Sequence, residues 1–212
     1  MKIILLVTFV AVSAIYLVSL FFKQGKLQSV LKSCLVPLIL AIYLFGAKRI
    51  LIPVVLALIF GWIGDVLLLD ITKVRRFQLG LASFLVGHVC FIVAFFEFAL
   101  PLNILVLTVS VLVASIAGFF IFRFVRPDKE MKYPVIAYEV IIMLMAISAV
   151  QVFFSQSGVF GALAFIGSLC FVMSDSILAY DTFRKKSKIG YFMVMVTYIL
   201  AQFLITLGFC TA

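Results

Sequence analysis

Four ionisable side chains interrupt otherwise apolar stretches of this sequence: Asp65, His88, Glu139 and Asp175. Two carboxyls and an imidazole suit acid–base work. A carboxyl that keeps its proton in a low-dielectric setting donates it to a substrate, and an ionised partner stabilises the cation that forms. The aspartates sit in similar surroundings, Gly64-Asp65-Val66-Leu67-Leu68-Leu69 and Ser174-Asp175-Ser176-Ile177-Leu178-Ala179, each with a small residue before the acid and a leucine three positions after it. His88 shares a helical stripe with Gly80 and Phe84, and Tyr191, Met195, Tyr198 and Gln202 form a second stripe with polar tips on one face. The competing reading is structural: a buried carboxyl pair that holds helices together, and tyrosines that make ordinary interhelical hydrogen bonds. Glu139 is the weakest of the four, being close enough to Lys129 and Lys132 for a plain ion pair.

The elements that must position these groups are membrane helices. The 212 residues are 67% hydrophobic and 12% charged, with a mean hydropathy of +1.36. A soluble domain is roughly half apolar and about a quarter charged, so a water-soluble globule, a disordered chain and a nucleic-acid-binding protein are excluded. Apolar stretches of about 20 residues, enough to cross a bilayer, recur at 3–22, 33–47, 50–69, 77–96, 102–122, 133–153, 158–180 and 189–210. They predict a single polytopic domain over 1–212, an all-α bundle of eight transmembrane helices in which the second span is short. The runs are continuously apolar, unlike the alternating strands of an outer-membrane barrel. The first is longer than a usual signal-peptide core and reads as a retained helix.

The basic residues orient the bundle. With eight spans, the loops after spans 1, 3, 5 and 7 share one side and hold fourteen of the 17 Lys and Arg residues: Lys23, Lys26 and Lys32; Lys73, Arg75 and Arg76; Arg123, Arg126, Lys129 and Lys132; Arg184, Lys185, Lys186 and Lys188. The other side keeps Lys2, Lys48 and Arg49. The positive-inside rule places the fourteen in the cytoplasm and both termini outside, with anionic membrane lipids as partners of the basic loops. At about 1.5 Å per residue from the nearest basic loop, the four buried groups lie about 10–18 Å deep. All fall in the cytoplasmic half, where they line one cavity opening inward. Cys34, Cys90, Cys170 and Cys210 fall one to a span and read as small hydrophobes. No metal or cofactor is expected, since one histidine excludes a three-histidine zinc site and no zincin, P-loop or Ser-nucleophile motif occurs.

The ordered set Lys32, Gly64-Asp65-x-x-Leu68, Phe77-x-x-Gly80-Leu81 with Gly87-His88, Pro134-Val135-x-x-Tyr138, Gly161-Ala162 with Ser174-Asp175-x-x-Leu178-Ala179, and Tyr198-x-x-Ala201-Gln202 resembles the YhhN-type membrane proteins, a family that includes lysoplasmalogenases. The resemblance spans helices 2 to 8, and Glu139 falls outside its motifs. It implies cleavage of the vinyl ether bond of a lysophospholipid substrate, giving a fatty aldehyde and a glycerophospho-base. It implies Asp65 and Asp175 as acid and stabiliser, in either order, with His88 orienting water or tuning one carboxyl. Tyr138, Ser174, Tyr198 and Gln202 become hydrogen-bonding residues of the substrate site. Lys32, at the expected cytoplasmic interface, is placed to meet the lipid phosphate. The expected setting is a bacterial inner membrane with the site open to the cytoplasm. A proton-coupled lipid carrier using the same carboxyls as a relay is the alternative.

Overall fold

The computed structural model describes residues 2–22, 25–69, 74–129, 131–156 and 158–212; Lys23 and Lys73 of the basic loops lie outside the described residues. The described chain forms eight helices and no strand: α1 (Lys2–Ser19), α2 (Lys26–Gly46), α3 (Ile52–Leu67), α4 (Val74–Ala99), α5 (Ile104–Val125), α6 (Lys132–Ser155), α7 (Val159–Phe183) and α8 (Lys188–Thr211). Seven are long and apolar enough to cross a membrane, and α3 is a shorter apolar helix of 16 residues. The protein is an all-α integral membrane bundle.

The short element is thus the third and not the second. Lys26, Gln28 and Lys32 depress the hydropathy of residues 26–32, but none of them breaks the backbone ladder, so α2 begins seven residues before the apolar run does. It continues through Pro37 to Gly46. Helix α3 carries Pro53 in its first turn, which the fixed φ of proline suits, and closes at Leu68, whose amide donates to Gly64 O at 2.9 Å.

Hydrogen bonds between helix ends define the alternation. At one end Lys2 Nζ donates to Gly46 O (3.3 Å), Lys48 Nζ to Thr211 O (3.3 Å) and Gln156 Nε2 to Phe98 O (3.0 Å). This gathers the start of α1 with the ends of α2, α4, α6 and α8. At the other end Gln28 Nε2 donates to Ser19 O (2.5 Å) and Arg184 Nε to Phe124 O (3.1 Å), joining the ends of α1, α5 and α7 to the start of α2. Lys2 and Thr211 therefore lie at one end of the bundle, and the ends of α1, α5 and α7, with Arg126 and Arg184, at the other.

Lipid tails are as apolar as leucine, so helices in a membrane associate through close packing and hydrogen bonds. Helices α7 and α8 make the most extensive pairing, followed by α3 with α4. The buried face of α8 carries Val194, Tyr198, Ala201, Gln202, Ile205 and Phe209, while α5 stands at the periphery against α6 and α7, with Val125 its buried residue. Gly167 allows the α7–α8 approach: a Cβ there would stand 3.0 Å from Ile205 N and 3.2 Å from Ala201 O. Gly167→Val is expected to destabilise the bundle by about 1–3 kcal/mol through overpacking. The check is the denaturation midpoint in detergent, and an unchanged midpoint would contradict this packing.

Candidate active site

Six helices deliver one polar cluster into the bundle. Lys32 comes from α2, Asp65 from α3, His88 from α4, Tyr138 from α6, Asp175 from α7, and Tyr198 and Gln202 from α8, the last two one turn apart on its buried face. With α2 and α8 counted, the site draws on six of the eight helices, so it exists only in the folded bundle.

The Asp65 half is closed and charge-compensated. Lys32 Nζ lies 3.6 Å from Asp65 Oδ1, with side-chain exposures of 6% and 3%. Tyr198 donates its hydroxyl hydrogen to Asp65 Oδ2 at 2.6 Å and accepts from Gln202 Nε2 at 3.3 Å. Lys32 also interacts with Tyr191, whose hydroxyl is 3.4 Å from that of Tyr16. A buried charge is tolerable only when paired and hydrogen-bonded, and this one is both.

The Asp175 half is different. Asp175 Oδ2 accepts from the Tyr138 hydroxyl at 2.5 Å and lies 3.9 Å from His88 Nε2. His88 Nδ1 is 2.7 Å from Phe84 O. A carbonyl oxygen only accepts, so Nδ1 carries the hydrogen and Nε2 of the neutral ring is the acceptor. That buried Nε2 has no hydrogen-bond partner among the described residues. Asp175 is also more accessible than Asp65, with 16% side-chain exposure.

Aromatic rings join the two halves. Phe171 meets the His88 ring edge-on at 4.8 Å and the Tyr198 ring at 5.7 Å, and His88 stands perpendicular to Tyr138 at 5.5 Å. The two carboxyls are near enough to act on each other electrostatically. A narrow cleft of about 40 Å³ between α5, α6 and α7 reaches Asp175, with Tyr138 and Glu139 also on its wall. Its wall includes Val125 and Ala179, near the ends of α5 and α7, and Val135 in the first turn of α6, so it reaches toward the end where Arg126 and Arg184 stand. The volume suits a water or two.

Of the residues singled out in the sequence, Asp65, His88, Asp175, Tyr138, Tyr198 and Gln202 are brought together. Lys32 does not reach the protein surface. Because α2 begins at Lys26, Lys32 is an interior residue of the helix, 5% exposed, and its ammonium is taken up by Asp65. Ser174 turns away from the cluster and donates to Val194 O of α8 at 3.1 Å. Glu139 makes no ion pair with Lys129 or Lys132, and its Oε1 is buried without a partner among the described residues. Phe171 and Tyr16 escaped sequence reading. Phe171 lies one turn before Asp175 on the same helix face, yet among 24 phenylalanines that spacing carries little signal. Among the described residues no group of three His, Cys, Asp or Glu side chains is placed to hold a metal ion, and the four cysteines are free.

Comparison with known proteins adds a family. The chain is 32% identical over 152 residues to the human protein named lysoplasmalogenase TMEM86B, covering 72% of this chain and 61% of that one. It is 30% identical over the same length to the mouse protein of that name, again 72% and 61%. The chain therefore spans less than two thirds of the length of these relatives. No solved structure matches it. The YhhN family model matches residues 27–209, from the first turn of α2 almost to the end of α8 and including every residue of the polar cluster, and the chain belongs to the YhhN family.

Proposed function

We propose that this protein hydrolyses the vinyl ether bond of a lysoplasmalogen, with Asp175 as the proton donor and Asp65 as the ionised partner. The observation that carries the assignment is the asymmetry of the two carboxyls. Asp65 is paired with the buried ammonium of Lys32, whereas Asp175 has a hydroxyl and an imidazole beside it and lines the cleft. The names of the mammalian relatives support the substrate class.

Vinyl ethers hydrolyse by slow protonation of the alkene carbon. The Asp175 proton goes to the second carbon of the alkenyl chain, the π pair forms the new C–H bond, and the first carbon becomes an oxocarbenium ion held by the ether oxygen. Asp65 carboxylate stabilises that cation, as the second carboxylate does in glycosidases. Water adds to the cationic carbon and passes its proton through His88 Nε2 to Asp175. The resulting hemiacetal then breaks its bond to the glycerol oxygen, which takes a proton, leaving aldehyde and glycerophospho-base. Tyr138 and Tyr198 hold the carboxyls by donating to them, and Gln202 orients Tyr198.

The cleft end is read as cytoplasmic and both termini as outside, a reading supported by the positive-inside bias of the basic residues there, among them Arg123, Arg126, Arg184 and Lys185. There Arg126 and Arg184, next to the cleft mouth, meet the substrate phosphate in place of Lys32. A carrier would need a polar route to the opposite end. In that half Gln151 and Asn103 satisfy one another, with Asn103 N donating to Gln151 Oε1 at 3.1 Å, and Asn103 Oδ1 caps α5.

The reading is tested by offering the purified protein alkenyl- and saturated alkyl-glycerophosphoethanolamine in detergent. Aldehyde should be released from the alkenyl lipid alone. Absence of aldehyde from folded protein would overturn the assignment. Because the cluster offers no three-ligand donor set, chelator treatment should leave turnover unchanged, and a loss restored by an added divalent metal would show that the cluster works differently.

A further inference from the structure

Glu139 is a carboxyl that the chemistry above does not use. It lies on α6 next to Tyr138, is half-buried, and shares with Asp175 the wall of the cleft between α5, α6 and α7. Its Oε1 is buried and has no partner among the described residues. It faces Gly118 of α5, where a Cβ would stand 3.4 Å from Oε1, so the glycine leaves the carboxyl free of crowding from the neighbouring helix.

The other polar side chains of the cleft are occupied. Tyr138 donates to Asp175, and Ser176 Oγ donates to Val172 O at 2.6 Å. Asp175 is committed to the proton transfer. The cleft therefore offers one acceptor with nothing to accept, beside the reacting group and deeper than the basic rim.

A lysoplasmalogen carries one hydroxyl at that level. Its glycerol C2 hydroxyl is separated from the vinyl ether oxygen by two carbons, on the side of the phosphate. The ammonium or choline lies beyond the phosphate, which Arg126 and Arg184 draw to the rim, so the headgroup cation stays outside. A plasmalogen with an acyl chain at C2 has no hydrogen to donate and would bury the Glu139 oxygen unsatisfied.

Resting on the hydrolysis reading, we infer that Glu139 is the specificity-determining residue that accepts a hydrogen bond from the free C2 hydroxyl of the lysolipid. A site built to bind a hydroxyl rejects analogues that lack it, because its own buried polar group is then left unpaired. Glu139 acts on binding and positioning; proton transfer stays with Asp175.

Binding without turnover separates this inference from the reaction. Saturated 1-alkyl-glycerophosphoethanolamine has no vinyl ether to cleave, and its 2-deoxy counterpart differs by the hydroxyl alone. Their dissociation constants are measured in detergent for wild type, Glu139→Gln and Glu139→Leu. Wild type should prefer the hydroxyl-bearing lipid by about 10- to 100-fold, the range of leaving a buried acceptor unpaired. Glu139→Gln, which keeps an acceptor oxygen, should retain a preference of a few fold. Glu139→Leu should bind both lipids equally and hold the 2-deoxy lipid no more weakly than wild type does, which a general packing defect would not permit. An undiminished preference in Glu139→Leu, or equal binding of the two lipids by wild type, would overturn the assignment. Aldehyde release by the same wild-type preparation reports the hydrolysis reading separately: its absence with the binding preference intact would strike the reaction and leave the hydroxyl site standing.

Discussion

Asp175→Asn is expected to reduce aldehyde release on the order of 10²–10⁴-fold, the range that a positioned general acid supplies, while lysolipid binding stays within a few fold of wild type. The amide is isosteric and keeps the acceptor that Tyr138 addresses at 2.5 Å. It has no proton to give to the alkene carbon. The loss should appear in kcat with KM nearly unchanged, because a group acting only in the transition state leaves ground-state binding alone. Retention of near-wild-type turnover would place the proton elsewhere. Asp65→Asn is expected to fail differently: it removes the anion beside the oxocarbenium ion and also leaves the Lys32 ammonium unpaired.

That second consequence makes Lys32 the largest stability lever in the protein. Lys32 and Asp65 are buried to within 6% and 3% exposure and stand 3.6 Å apart. Lys32→Met deletes the cation and strands a buried carboxylate whose remaining partner is the Tyr198 hydroxyl. Breaking a buried pair from one side is expected to destabilise by about 3–5 kcal/mol. Replacing both partners should not: in Lys32→Met with Asp65→Asn the charge is gone from both sides, and Tyr198 still finds an acceptor. The double variant is expected to recover most of the stability while remaining inactive. The measurement is the denaturation midpoint of the three variants in one detergent, and a single Lys32→Met variant as stable as wild type would contradict the ion pair.

Much of the fold was legible because the bilayer imposes a simple rule. Among the described residues eight apolar runs became eight helices, and the ends of α1, α5 and α7 gathered at one end of the bundle, since length and charge asymmetry are sequence properties. The boundary that failed is instructive. Residues 26–32 are polar enough to lower a hydropathy average, yet α2 includes them, because Lys32 is stabilised by Asp65 on another helix and not by water. That is a tertiary contact, invisible to any local window.

The site divides the same way. Asp65, His88 and Asp175 stood out because charge in an apolar run is rare, and Tyr198 and Gln202 because they share a helical stripe. Ser174 looked equivalent to them in sequence, but rotation of α7 points its hydroxyl at the α8 backbone. Glu139 looked like an interface residue paired with Lys132, and instead turns into the cleft beside Asp175. Which side of a helix faces which neighbour depends on crossing geometry, and one sequence does not contain it. The different environments of the two aspartates, paired and unpaired, likewise became visible only when α2 and α3 were seen together.

Slow proton transfer to carbon, followed by capture of the cation by water, leaves an isotopic signature in the product. Turnover of alkenyl-glycerophosphoethanolamine by the purified protein, run in parallel in water and in deuterium oxide, tests it most directly. The product in deuterium oxide should be a fatty aldehyde carrying one deuterium on the carbon next to the carbonyl, formed more slowly than in water. Well-folded protein that releases no aldehyde, or releases it at the same rate in both solvents, would contradict it.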